Sequence, residues 1–350
     1  MGFENNMVNQ QESDALVEDE QYESSEGHQV ELSWSKFIPD QESLEKGAEG
    51  AEDSATIFLP GWSMEQTSRA SAEVSQALAN KSRSRSLSVN TSMEVKDMGD
   101  DPMNEQAEVV LQFIKEQGIK ELTLLGYSQG GDKAIDLAAM LKDDPDIDLK
   151  GVVLVDSTGL YEQNKDKLPG DFVRSALVDT TNSVLKQLYR ANYSKRQRMA
   201  MLGRGVSALV DILGSVAKNI VKQKFDYKTK LDKEVADMAE MNTRLAEITA
   251  PVVIISGDKD PIANPDSIVP PEEEERIVAE LEQDESSEEF VDPREKFLQE
   301  TMLPNSPYVR MIVGKKMGHH SLPFFRPESI ANVGLYALER YHRRAAKDAK

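Results

Sequence analysis

Hydrophobic and polar positions follow two periods along this chain, and together they predict an α/β fold. Short runs that are almost wholly apolar, such as "SATIFLPGW" from Ser54, are typical of strands buried on both faces. Apolar residues three and four positions apart at 68–81 and 105–117 predict amphipathic helices. Strands separated by helices of this length form a parallel sheet through right-handed crossovers. We therefore expect a mostly parallel central sheet flanked by helices.

The same patterns predict where the sheet begins and continues. "HQVELSWSKF", from His28, places alternate apolar residues on one side and predicts a first strand at a sheet edge. A short strand follows near 86–90, and a helix is expected from Gly131 to Lys142. Four later strands and a last helix from about Pro327 complete the pattern, the strands lying in "ELTLLGYS", "KGVVLVDSTG", "PVVIISGDKD" and "YVRMIVGKKMGHH".

The alternation of strands and helices stops between Tyr161 and Ile248, where only helical patterns occur. An all-helical block between two buried strands predicts a cap inserted into a sheet domain. The expected division is a tail at 1–27, a core at 28–160 and 249–350, and a helical cap at 161–248.

The net charge of −21 is concentrated in two segments of the chain. Residues 1–53 carry fifteen acidic and two basic side chains, and residues 272–289 carry ten and one. Because charge-rich stretches with few large apolar residues tend to stay solvated, we interpret 1–27 as a disordered acidic tail and 272–289 as an acidic insertion. Phosphate groups repel such segments, which argues against nucleic-acid binding.

Composition excludes several further classes of protein and site. The absence of cysteine excludes disulfides, thiolate metal sites and cysteine nucleophiles. No apolar run comes close in length to the roughly 18 residues that a membrane span needs. The N-terminal "MGFENNMVNQ" lacks the basic and apolar regions of a secretory signal. We therefore expect a cytoplasmic protein without a transmembrane segment.

The stretch "LLGYSQGG", from Leu124, has a G-x-S-x-G pattern between a predicted strand and a predicted helix. That context places Ser128 in a sharp turn above the strand ends, as in a serine nucleophile. The amide of Gln129 lies at a helix N-terminus, where partial positive charge favours a developing oxyanion. Ser128 is therefore a candidate nucleophile; an ordinary turn serine is the alternative.

Four histidines are the candidates for a base that activates this serine. His28 borders the acidic tail and His342 lies in a basic C-terminal helix, so we expect both at the surface. His319 and His320 follow the last predicted strand at its carboxyl end, where α/β sites form. We expect His319 to be the base, with His320 as the alternative; either could instead be a structural loop histidine.

An aspartate is needed to hold the imidazole in its reactive tautomer. "VVIISGDKDPIA" ends a predicted strand with Asp258 and Asp260. Asp260 follows the turn and precedes Pro261, which fixes the loop, so we expect Asp260 to orient the histidine. Asp258, or Asp156 from the preceding strand, is an alternative, and all three are also common loop-starting residues.

The oxyanion of an acyl-transfer intermediate needs a second N–H donor. "FLPGWS" ends the early buried strand and offers the amide of Trp62, while Gly61 allows close approach of the backbone. The Trp62 indole then lines a pocket or packs in the core.

The motifs "GYSQGG", "SGDKD" and "GHH" occur in the order serine, acid, histidine. In these motifs and in their order, the chain resembles the α/β-hydrolases. The resemblance covers residues 54–345 and matches that family's helical cap in position. It implies that Ser128 is the nucleophile, Asp260 the orienting acid and His319 the general base and then acid. The amides of Trp62 and Gln129 would form the oxyanion hole. It implies chemistry without a metal or an organic cofactor.

The chain departs from that family at two places. Pro60 stands where many members have a histidine, which keeps the backbone donor but loses a side-chain contact. The acidic insertion at 272–289, soon after the acid turn, is atypical.

The function that follows is a serine hydrolase of carboxylesterase or lipase type, which cleaves an ester or related acyl bond through an acyl-enzyme. The alternatives are an acyltransferase with the same triad and a non-catalytic binding protein whose acidic tail recruits partners. Residues 165–230 of the cap carry fourteen basic and five acidic side chains. This surface suits an anionic substrate or an anionic membrane surface, or it is a solvated face that balances the acidic segments.

Overall fold

The computed structural model describes most of the core and both ends of the cap. The described ranges are 17–46, 52–62, 64–66, 68–175, 227–270, 292–320 and 326–349, with residue 323 and single positions between 195 and 214 and between 272 and 279. The tail residues 1–16, most of the cap and the insertion residues 280–291 lie outside them.

One sheet with helices on both faces forms the described core. Its strands are β1 (Val17–Glu23), β2 (Gln29–Phe37), β3 (Ser54–Leu59), β4 (Arg85–Met93), β5 (Glu121–Tyr127), β6 (Asp148–Val155), β7 (Val252–Gly257) and β8 (Val309–Gly314). The helices are α1 (Gln41–Glu45), α2 (Arg69–Ser82), α3 (Pro102–Glu116), α4 (Gln129–Met140), α5 (Leu168–Arg174), α6 (Tyr227–Ala239), α7 (Pro293–Phe297) and α8 (Pro327–Asp348).

The strand order is β1-β2-β4-β3-β5-β6-β7-β8. The six strands from β4 to β8 in that order are parallel to one another, and β1 and β2 add to them as an antiparallel hairpin. The predicted mostly parallel sheet is therefore confirmed. The described parts of 161–248 contain α5, α6 and a short 3-10 helix at Thr243–Glu247.

Alternate side chains of the central strands supply two separate cores. Leu122 and Leu124 of β5 pack with α3, where Phe113 is fully buried. Leu125 points to the other face and packs with residues of α2 and α8 such as Leu335. Burial on both faces explains why these strands appear as continuous apolar runs, and each fully buried side chain of this size contributes about 1.5–3 kcal/mol.

The expected tail boundary at residue 27 is wrong, because residues 17–23 form β1 and the chain then turns into β2. The first predicted strand, from His28, is accordingly the second strand of the sheet and not its edge. Side-chain hydrogen bonds hold β1 against its neighbours. Tyr22 Oη donates to Glu116 Oε2 (2.8 Å), and Trp34 Nε1 donates to Glu20 Oε1 (3.3 Å). Acidic residues on an edge strand also disfavour pairing with another chain.

Most described positions between 272 and 279 are helical. Among the described residues, no helix combines the length and the apolar character that crossing a membrane requires.

Candidate active site

The turn between β5 and α4 holds Ser128 in a rare backbone conformation, with φ 53° and ψ −123°. Such strain costs about 1–3 kcal/mol and persists only where the surroundings enforce it. Here the Ser128 N–H donates to the Val155 carbonyl (3.0 Å), and the Thr158 N–H donates to the Ser128 carbonyl (3.2 Å). Neighbouring backbone leaves no room at Gly130, where an added Cβ would lie 2.6 Å from the Pro60 oxygen.

The structure brings Ser128, His319 and Asp260 into one hydrogen-bonded chain. His319 Nε2 lies 2.9 Å from Ser128 Oγ, and His319 Nδ1 lies 2.8 Å from Asp260 Oδ2. The three residues come from the ends of β5, β7 and β8, which the parallel register aligns at one edge of the sheet. All three are buried, with at most 2 % of any of them exposed, so these hydrogen bonds lie in a low-dielectric environment.

The surroundings of Asp260 stabilise its ionised form. Its Oδ1 accepts hydrogen bonds from the N–H groups of Ile262 (2.7 Å) and Ala263 (3.0 Å). Burial would raise the pKa of Asp260, but His319 and these two backbone donors hold that pKa below its ordinary value. An ionised Asp260 keeps the Nδ1–H tautomer of His319, which leaves Nε2 as the acceptor facing Ser128.

The alternative acids have other contacts. Asp258 Oδ1 accepts from the Met317 N–H (3.2 Å) and braces the turn after β7. Asp156, also with positive φ (43°), accepts from the Gly257 N–H through Oδ1 (2.8 Å). The imidazole Nδ1 of His319 faces Asp260.

His320 contacts the side chain of Tyr127. Its Nδ1 lies 2.8 Å from Tyr127 Oη, which is also 3.1 Å from the His319 carbonyl oxygen. Burial and the neighbouring His319 lower the pKa of His320 to about 3, so its ring is neutral at physiological pH. The other two histidines lie elsewhere: His28 bonds to Glu105, and His342 Nε2 is 2.7 Å from the Lys150 oxygen.

Both expected oxyanion donors belong to segments that lie next to Ser128. Gln129 is the first residue of α4, and the loop holding Trp62 abuts the serine, because a Cβ on Gly61 would lie 2.9 Å from Ser128 Cβ. The Trp62 indole packs against the cap and donates from Nε1 to Glu234 Oε2 (2.8 Å) on α6.

Three residues around the site were not found from the sequence. Tyr127 holds the loop that carries the two histidines, and its place directly before the serine was the one available signal. Tyr161 Oη donates to the Ile262 carbonyl (2.9 Å) and so braces the acid loop from the start of the cap. Glu234 bonds to Trp62 over a separation of 172 residues, which no local pattern indicates.

Two buried lysines, Lys133 of α4 and Lys230 of α6, interact with Glu234, the carboxylate that accepts from Trp62. Lys133 of α4, 4 % exposed, donates to Thr91 Oγ1 (2.9 Å), and burial lowers its pKa to about 8. Lys230 Nζ lies 3.6 Å from the Glu234 carboxylate. Besides Glu234, the carboxyl groups of Asp132 and Asp237 also interact with Lys133.

Two groups of three histidine and carboxylate ligand atoms come within 4.8 Å of one another in the described residues. The first is Asp156, Asp260 and His319, where both ring nitrogens of the histidine already have hydrogen-bond partners. The second is Glu26, His28 and Glu105, where His28 Nδ1 lies 2.7 Å from Glu105 Oε2. Each group contains one hydrogen bond between two of its members, His319 with Asp260 and His28 with Glu105.

Comparison with known proteins identifies the fold. The chain is similar to an esterase from Thermogutta terrifontis, with 13% identity over 93% of this chain and 98% of that one and a TM-score of 0.53. It is similar to an α/β-hydrolase fold protein from Chitinophaga pinensis, with 12% identity over 92% and 98% and a TM-score of 0.52. A bromoperoxidase from Bacillus anthracis gives 13% identity, 92% and 100% coverage and a TM-score of 0.50.

No protein-family model matches the sequence, and no curated protein matches it. The structural comparison shows that this chain has the α/β-hydrolase fold, as its motifs indicated. At these identities the comparison defines the fold, while the activity has to be argued from the site.

Proposed function

We propose that the protein is a serine hydrolase that cleaves carboxylic esters through an acyl-enzyme formed on Ser128. The observation that carries this proposal is the continuous hydrogen-bonded chain from Ser128 Oγ through His319 to Asp260. The Thermogutta terrifontis esterase among the structural neighbours adds support.

Acylation begins when Ser128 Oγ attacks the carbonyl carbon of the ester and His319 Nε2 takes the hydroxyl proton. The carbonyl oxygen becomes an oxyanion, for which the backbone amides of Gln129 and Trp62 are the proposed donors. The protonated His319 then gives its proton to the departing alkoxide. Asp260 stays ionised throughout and stabilises the imidazolium.

Deacylation repeats these steps with water as the nucleophile. His319 Nε2 removes a proton from water, the resulting hydroxide attacks the acyl carbon, and the proton returns to Ser128 Oγ as the acid leaves.

The substrate class we propose is an ester with an anionic acyl group. Buried Lys133 and Lys230, which both interact with Glu234 beside Trp62, support this choice, as does the excess of basic residues at 165–230. A cation in a buried site attracts an anion more strongly than a surface cation does. If the protein hydrolyses no ester, an anionic membrane surface is the alternative partner of the same basic segment.

The proposed function is tested with aryl esters that differ in acyl charge, for example acetyl and hemisuccinyl esters of one phenol. We expect hydrolysis of both, a higher kcat/KM for the hemisuccinyl ester, and loss of activity by at least about 1000-fold in Ser128→Ala and His319→Ala. Asp260→Asn should also abolish activity, and Asp258→Asn is its matched control. Equal turnover by wild type and Ser128→Ala would refute the proposal, and equal rates for the two esters would refute the substrate class.

A further inference from the structure

Asp156, at the carboxyl end of β6, lies beside the acid of the triad, and the mechanism above gives it no step. It is fully buried in a strained conformation, and only its Oδ1 accepts a hydrogen bond from a described group, the N–H of Gly257. Its Oδ2 is buried without a hydrogen-bonding N–H or other donor among the described residues. Ligand atoms of Asp156, Asp260 and His319 all lie within 4.8 Å of one another.

Two adjacent buried carboxyl groups do not both ionise, because like charges repel strongly in a low-dielectric site. The donors around them decide which one carries the charge. Among the described residues, Asp260 faces three N–H donors, those of Ile262 and Ala263 and the imidazole of His319, whereas Asp156 faces one. The negative charge therefore belongs on Asp260 and the shared proton on Asp156.

The electrostatics agree with this count of donors. Burial and the charge of Asp260 raise the pKa of Asp156 well above its ordinary value. The pKa of Asp260 is held low by His319 and the backbone donors despite burial. Tyr127, which also faces both carboxyl groups, has its pKa raised by burial and stays a neutral phenol.

We propose that Asp156 is a neutral carboxylic acid that donates a hydrogen bond from Oδ2 to the Asp260 carboxylate. It is thereby a positioning residue for the triad. This inference rests on the proposed function for its catalytic meaning. The donated bond fixes the rotation of the Asp260 carboxylate, so that its other contacts stay directed at His319 and at the backbone of the acid loop. A buried oxygen that otherwise lacks a partner acquires one.

The kinetic test compares three substitutions at this pair. Asp156→Asn keeps the acceptor for Gly257 and offers an N–H in place of the O–H, so kcat should stay within about tenfold of wild type. Asp156→Ala removes the donor and should lower kcat further with little change in KM, and Asp260→Asn should abolish activity. If Asp156→Asn loses as much kcat as Asp260→Asn, Asp156 acts as an anion and the inference is wrong.

The infrared difference spectrum of wild type minus Asp156→Asn at neutral pH reports the proton directly and needs no substrate. We expect the lost band to be the C=O stretch of a protonated carboxylic acid. Asp258→Asn, at the turn after β7, is the matched control and should lose carboxylate bands. Loss of carboxylate bands in the Asp156 spectrum would overturn the inference.

Asp156→Ser, whose hydroxyl also donates and accepts, replaces the asparagine variant if that variant does not fold. The two hypotheses fail separately in these experiments. If Asp156 is protonated but the protein cannot be acylated, only the proposed function is refuted. If Asp156 is ionised in an active enzyme, only this inference is refuted.

Discussion

At the scale of single residues, contacts from three strand ends fix the serine, the histidine and the aspartate. Ser128 is held in its strained turn by backbone hydrogen bonds from the β6 side, and His319 is held between Ser128 and Asp260. Tyr127 adds a hydrogen bond to the carbonyl of His319 itself. Because each polar group has a fixed partner, the reactive geometry exists before a substrate arrives.

The neutral ring of His320 predicts how stability depends on pH. The folded protein binds a proton on His320 only near pH 3, whereas the unfolded chain binds it near about pH 6.5. Between those values the unfolded state holds more protons, so the free energy of unfolding falls as the pH falls, by at most about 1.4 kcal/mol per pH unit for this group.

Urea denaturation from neutral pH down to about pH 4 measures this dependence, and the comparison is wild type against His320→Gln. The variant should lose stability less steeply on acidification, since it has no imidazole to protonate. His342→Gln is the matched control at an exposed position. Identical slopes for wild type and His320→Gln would contradict the assignment of a neutral, buried ring.

At the scale of elements, the turn between β5 and α4 depends on close backbone contact with the end of β3. A Cβ on Gly130 would lie 2.6 Å from the Pro60 oxygen and still closer to the Leu59 oxygen. Gly130→Ala should therefore lower the free energy of unfolding by about 3 kcal/mol or more and abolish ester hydrolysis. Gly170→Ala, where no atom lies within 4 Å of the added Cβ, should be close to neutral. Equal denaturation midpoints for the two variants would contradict this account of the turn.

The link between the oxyanion loop and the cap helix α6 gives a second prediction. Trp62→Phe keeps an aromatic ring but removes the N–H that donates to Glu234. We expect kcat/KM to fall about tenfold, the effect of losing one hydrogen bond to a charged group. Trp34→Phe loses a comparable bond to Glu20 at the far edge of the sheet and should leave ester kinetics unchanged. A similar loss in both variants would show that the link does not serve the site.

Sequence patterns predicted the central elements because burial on both faces leaves an unmistakable apolar run, as in β3 and β7. They missed β1, whose acidic side chains are typical of a solvated tail; it pairs through its backbone with β2 and buries Tyr22. They also left Asp156, Asp258 and Asp260 as alternatives. That choice depends on which carboxylate faces the imidazole, and the contact joins residues 59 positions apart.

At the scale of the whole molecule, the sheet collects distant residues at one edge while charge is separated along the chain. Strand register aligns the strand ends that precede residues 128, 260 and 319, and loop hydrogen bonds such as that of Tyr127 complete the arrangement over separations of up to 191 residues. The acidity of the protein lies mainly in 1–53 and 272–289, and basic residues are concentrated in 165–230. The proposed catalytic edge therefore belongs to the α/β core, and we expect substrate preference to come from residues 161–248.

The most direct test of the central claim is the site of covalent modification by a fluorophosphonate, which reacts with an activated serine. Intact-mass measurement followed by peptide mapping should find one phosphonyl group on Ser128 of the wild type. Ser128→Ala should remain unmodified, and His319→Ala should react far more slowly because the hydroxyl has lost its base. A wild-type protein that stays unmodified, or a Ser128→Ala variant that is labelled equally, would contradict the account.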